Sequence, residues 1–88
     1  MAMPVRVQPT PNPNAHKFVL PEEHFAQSLN FSSEETASGN QLASELYALN
    51  GVYNVFLAQD FVTINKLPDV AWATLDAAVI AVLNGHFD

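Results

Sequence analysis

The segment Pro9-Thr10-Pro11-Asn12-Pro13-Asn14 restricts this chain more than any other. Each of the three prolines holds φ near about −65° and removes an amide donor. Each also pushes the residue before it out of the helical region. The asparagines tolerate left-handed backbone and close local turns. Neither a helix nor a central strand can pass through such a segment. It reads as a stiff, shaped connection that feeds a strand beginning near His16. It is also the part of the chain expected to be presented to a partner.

Around that block the pattern is mostly that of strands. Val5–Pro9 alternates apolar and polar residues and predicts a first strand. His16–Leu20 predicts a second, with Phe18 and Leu20 on one face and Lys17 and Val19 on the other. Ser28–Ser32 predicts a short third strand, with Leu29 and Phe31 facing one way. Ser38 and Gln41 stand at capping-box spacing and open a helix. Leu42, Leu46 and Leu49 form its apolar stripe, and Asn50-Gly51 supplies a left-handed stop. Val52–Leu57 and Phe61–Lys66, joined through Ala58-Gln59-Asp60, predict an antiparallel hairpin, because a parallel pair would need a long crossover. Pro68-Asp69 opens a second helix with Asp69 as its cap. Trp72, Leu75, Val79, Val82 and Leu83 are its buried stripe, and Gly85 its end.

The order β-β-(β)-α-β-β-α predicts an α+β fold, a two-layer sandwich of a mostly antiparallel sheet with two helices on one face. At this length the chain reads as one domain, residues 1–88. Alternation cannot orient Val52–Leu57, since Val55, Phe56 and Leu57 are all apolar. Either register leaves large apolar groups on the uncovered face, which is a mark of interaction surfaces and also an ordinary feature of protein exteriors.

Only Arg6, Lys17 and Lys66 oppose nine carboxylates, for a net charge of −6. Such a surface repels nucleic-acid phosphates and anionic membranes. It serves solubility, or docking to a basic partner. The absence of cysteine removes disulfides, thiolate nucleophiles and ordinary iron–sulfur ligation from this chain. No run of about 18 apolar residues predicts a membrane span. The start, Met1-Ala2-Met3-Pro4-Val5-Arg6, has no signal-peptide core, so a cytoplasmic protein is expected. No glycine-rich phosphate loop or Gly-x-Ser-x-Gly elbow occurs. His16, His24 and His86 lack helical metal-ligand spacing. No catalytic constellation emerges, and the chain reads as a non-enzyme. The remaining chemical option is iron or another metal on Glu22, Glu23, His24 and Asp60.

The block Pro9-Thr10-Pro11-Asn12-Pro13-Asn14-Ala15-His16-Lys17-Phe18 resembles the opening of the N-terminal domain of Nfu/NifU-like iron–sulfur scaffold proteins. Leu42–Leu49, Gly51-Val52-Tyr53-Asn54-Val55-Phe56, Asp60-Phe61-Val62-Thr63-Ile64-Asn65-Lys66 and Trp72 are similar in order and spacing. In that family the domain precedes a separate one whose Cys-x-x-Cys pair binds a shared cluster. No position of this chain matches that pair, so no cluster-binding, catalytic or metal residue carries over. The resemblance implies a protein-interaction module for cluster assembly or delivery, working in trans with a cysteine-bearing partner. The expected partner is an iron–sulfur scaffold or a client apoprotein, and the expected state is a monomer without cofactor. The expected contact residues are Pro11, Asn12, Pro13 and Asn14 in the loop, and Phe61 and Thr63 on the sheet.

Overall fold

The computed structural model describes residues 4–87, so the reading of Met1–Met3 as a start without a signal core lies outside it. Five strands and three helices follow in the order β1 (Arg6–Pro9), β2 (Ala15–Val19), β3 (Phe25–Phe31), α1 (Glu34–Ala37), α2 (Gln41–Tyr47), β4 (Val52–Gln59), β5 (Phe61–Lys66) and α3 (Trp72–Phe87). The sheet order is β1-β2-β5-β4-β3, and every neighbouring pair is antiparallel. The α+β sandwich expected from the sequence is the one that forms.

Register decides which side of each strand is buried. Phe18 pairs with Val62, Leu57 with Val62 and Val55 with Ile64, so these five side chains share one face. They pack with Leu42 and Leu46 of α2 and with Leu75, Val79 and Leu83 of α3 in one apolar cluster. The ambiguity of Val52–Leu57 is thereby resolved: Val55 and Leu57 enter the core and Phe56 faces away. The segment between β2 and β3 crosses the tip of the β4–β5 hairpin. Leu20 N donates to Asp60 O at 2.6 Å and His24 N to Gln59 O at 3.0 Å. The hairpin itself is tight, with Gln59 at φ 50°, a left-handed position that glycine usually takes.

Several boundaries differ from the sequence expectation. A short helix, α1, precedes the expected one and uses Ser33 and Thr36 as its capping box, while Ser38 closes it. Asn40, not Ser38, caps α2, its Oδ1 accepting from Ala43 N at 3.0 Å. Two cap-competent residues two positions apart look alike in sequence, and packing of Ala37 into the core chooses between them. β3 begins at Phe25 because β4 continues to Gln59 and offers it a partner. Asp69 lies in the turn before α3 and does not cap it; the first bond of that helix runs from Leu75 N to Ala71 O. Gly85 does not stop α3, which continues to Phe87, whose ring stacks on His24 at 4.2 Å.

Tyr47, at the end of α2, is 8% exposed. Its hydroxyl lies 2.8 Å from Phe31 O and 2.7 Å from Tyr53 O, and its one proton serves these two carbonyls. Tyr53 O is available because the β4–β5 register shifts between Val52 and Asn54. Desolvation, with the Glu34 charge second, holds the Tyr47 hydroxyl above its ordinary value of 10.0. A raised acid of this kind contributes stability while the unfolded tyrosine is still protonated, and that contribution is lost as pH climbs past 10 and through the folded value. Tyr47→Phe is expected to cost about 1–3 kcal/mol, since buried carbonyls lose their donor. It should also flatten the loss of stability above pH 10, which urea titrations at pH 8 and pH 10.5 would measure.

Candidate functional site

Two places concentrate the polar and aromatic groups that the core does not use. The first is the sheet face opposite the helices. Registers Arg6↔Val19↔Phe61↔Ala58 and Gln8↔Lys17↔Thr63↔Phe56↔Asn30 place these residues in two rows on that face. Asn54 and Asn65 form a third row, and Asn54 Nδ2 donates to Asn30 Oδ1 at 3.0 Å. Phe56 and Phe61 are half-buried, with ring centroids 6.0 Å apart. The Lys17 ammonium sits 4.2 Å above the Phe61 ring, within cation–π range. No Lys or Arg forms a salt bridge with a carboxylate among the described residues; the two ion pairs there both use histidine.

The second place is the Pro/Asn connection. Its inner structure is dense: Asn14 N donates to Asn12 Oδ1 at 2.9 Å and Ala15 N to Asn12 O at 3.0 Å. Thr10 Oγ1 accepts from Asn12 N at 3.1 Å. The loop is also tied to α3 and β5. Trp72 Nε1 donates to Pro13 O at 2.9 Å, and Lys66 Nζ donates to Asn14 Oδ1 at 3.1 Å and to Leu67 O at 3.3 Å. The Trp72 ring stacks on His16 at 3.7 Å and 6°, and His16 Nδ1 lies 2.9 Å from Asp76 Oδ1. Lys66, only 6% exposed, therefore works inside this knot. Trp72→Phe keeps an aromatic ring, though a smaller one, and removes the donor to Pro13. The expected cost is about 1 kcal/mol, with faster amide hydrogen exchange at Ala15.

The expected contact residues thus fall into two groups. Pro11, Asn12 and Pro13 are exposed and Asn14 half-buried at one end of the sheet, while Phe61 and Thr63 lie on the open face. Phe61 and the loop end of β5 at Asn65 are four residues apart, roughly 13 Å along a strand. Sequence reasoning missed Lys17 and the Asn54–Asn30 pair, although strand alternation had already put Lys17 opposite Phe18, which was the available signal. Phe56 was one of several apolar β4 residues that could take the uncovered face, and the register with Thr63 selects it.

The metal option finds no support. Glu22, Glu23 and His24 are exposed on the β2–β3 connection, and His24 spends its ring face on Phe87. No group of three or more His, Cys, Asp or Glu able to hold a metal exists among the described residues. With no cysteine in the chain, its residues do not fit an iron–sulfur cluster either. A shallow cleft of about 120 Å³ between the end of α2 and α3 is lined by Leu49, Asn50, Val70, Thr74, Leu75 and Ala78, none of them titratable. No helix is long and apolar enough to cross a membrane among the described residues.

The family described as "Scaffold protein Nfu/NifU N terminal" matches residues 5–88. The chain is 36% identical over 85 residues to the mitochondrial NFU1 iron-sulfur cluster scaffold homolog of Drosophila ananassae, covering 94% of this chain and 30% of that protein. It is 35% identical over 81 residues to the mitochondrial NifU-like protein 4 of Arabidopsis thaliana, covering 90% and 28%. It therefore spans about a third or less of the curated relatives it matches. Among solved structures, a NifU-like protein from Saccharomyces cerevisiae superposes with a TM-score of 0.83 at 25% identity, covering 96% of this chain and 77% of that one. The expectation of a cytoplasmic protein is corrected by these relatives, since the fly and plant proteins are both named as mitochondrial. Lack of a signal-peptide core says nothing about import into an organelle, which is why the sequence argument failed.

Proposed function

Because the chain belongs to the family of Nfu/NifU scaffold N-terminal domains, we propose that it is a non-enzymatic protein-interaction module in iron–sulfur cluster assembly or delivery. It acts in trans with a cysteine-bearing scaffold or a client apoprotein, as a monomer without a cofactor of its own. The cluster is cargo held elsewhere, since this chain offers no thiolate. Nucleic acid and membranes are not its partners.

One observation carries the reading: an open sheet face bearing two half-buried phenylalanines, Phe56 and Phe61, beside Lys17 and Thr63. Strands usually bury one face and solvate the other with polar groups. Aromatic rings kept on the solvated face suit a contact surface. The knotted Pro/Asn loop supplies a rigid second contact at Pro11–Asn14, because binding through a segment already held costs little ordering entropy.

Affinity capture from cell extract tests this. The chain is expected to enrich cluster-assembly or cluster-containing proteins, and Phe61→Ala, shown folded by its NMR dispersion, is expected to lose them. Recovery of unrelated proteins only, or unchanged capture by the variant, would reject the reading.

A further inference from the structure

We infer that the open sheet face recognises an acidic partner segment, one carrying carboxylates on either side of apolar side chains. This deepens the proposed interaction role and rests on it. It also runs against the net charge of −6, which by itself favours a basic partner.

The chain has three Lys and Arg residues. Lys66 is consumed in the loop knot. The other two, Arg6 and Lys17, both lie on the open face, in adjacent rows beside Phe61 and Thr63. Neither has a carboxylate partner among the described residues, in a chain that has nine carboxylates to offer. Glu34, Glu35, Glu45 and Asp76 are carried by the helices. Packed layers sit roughly 10 Å apart, so a ligand on the sheet lies nearer to Arg6 and Lys17 than to the helical carboxylates behind them. Glu22, Glu23 and Asp60 lie at the hairpin end, where they set a limit to the strip.

Chemistry narrows the occupant further. Phe56 and Phe61 ask for apolar side chains, while the asparagines Asn30, Asn54 and Asn65 supply neutral hydrogen-bonding at the far side. A single-stranded nucleic acid would also meet aromatics and cations. It brings a charge with every nucleotide, however, and among the described residues only Arg6 and Lys17 lie on this face to receive it. A peptide with a few carboxylates and a few leucines fits the inventory better.

The test uses the purified chain and two synthetic peptides of the same leucine spacing, one with glutamate and one with lysine at the intervening positions, plus an oligo-dT strand. The glutamate peptide is expected to shift the amide resonances of Lys17, Val19, Phe56, Phe61 and Thr63, and to bind more weakly at high salt. Lys17→Glu, on a solvated strand position, is expected to weaken it about fivefold or more with an unchanged fold. Equal or tighter binding of the lysine peptide at this face would overturn the inference. So would preference for oligo-dT, shifts confined to the helices, closure of the face by a second copy in sedimentation, or an unaffected Lys17→Glu. Capture of iron–sulfur proteins without glutamate-peptide binding would remove the acidic preference alone. Peptide binding without such capture would remove the iron–sulfur role and leave the preference standing.

Discussion

Phe18→Ala is expected to lower the unfolding free energy by about 3–5 kcal/mol, the usual cost of deleting a fully enclosed ring. Phe18 is 0% exposed. It sits in β2 between Val7 of β1 and Val62 of β5, and its ring is tilted against Trp72 at a centroid distance of 6.4 Å. The cavity would open between the sheet and α3, where strand backbones held by ladders on both sides cannot collapse into it. Domains of this kind have about 5–15 kcal/mol to lose, so roughly a fifth or more of the margin goes. Urea denaturation should show an earlier midpoint with an unchanged slope. A loss under about 1 kcal/mol would mean that the core closes around the hole, and that Phe18 is not its centre.

Gly51→Ala is the second large effect, with a different cause. Gly51 has φ 95°, in the region that side chains resist, and a Cβ there would overlap Val70 Cγ2 while lying 3.0 Å from Val70 Cβ and Cγ1. Its carbonyl also accepts from Leu67 N at 2.8 Å, so the turn cannot swing away without breaking the tie to the β5–α3 connection. A left-handed backbone with a Cβ costs about 1–2 kcal/mol, and overpacking about 1–3 kcal/mol. The sum, about 2–5 kcal/mol, separates in a double variant. Val70→Ala should remove the overlap with Cγ2 and Cγ1 but leave the Cβ contact at 3.0 Å and the backbone cost, so the Gly51→Ala penalty measured in that background should shrink without vanishing. An unchanged penalty would show that the collision is absent.

These two positions also show how legible the fold is. Phe18 is buried because it alternates with Lys17 and Val19 in a short strand, and two-residue periodicity reports that directly. Gly51 follows Asn50 at the end of an apolar stripe, and its left-handed backbone was readable from local chemistry. The helix itself stops earlier, at Tyr47 with Ala48 as its cap, so Asn50-Gly51 is the turn into β4 and not the helix stop expected from the sequence. The errors fell where two local solutions were nearly equal. Ser38 and Asn40 can each cap a helix, and burial of Ala37 chose. Pro68-Asp69 resembles a helix start, but the chain turns once more before Trp72.

Candidate-site residues divided in the same way. The stiffness of Pro9–Asn14 was visible in its composition. That Trp72, Lys66 and His16 hold it required contacts across 52 to 59 residues of chain.

Amino-acid order alone established the five strands, two of the three helices, the sandwich class and the lack of any thiol, because periodicity, turn residues and composition are local properties. Which side of β4 Phe56 takes, and the gathering of Arg6 and Lys17 on one face while Glu34, Glu35, Glu45 and Asp76 ride the helices, were decided by the tertiary structure, above all by sheet register. Register is a pairing between distant segments, set by the energy of the whole core, and no short window of residues contains it.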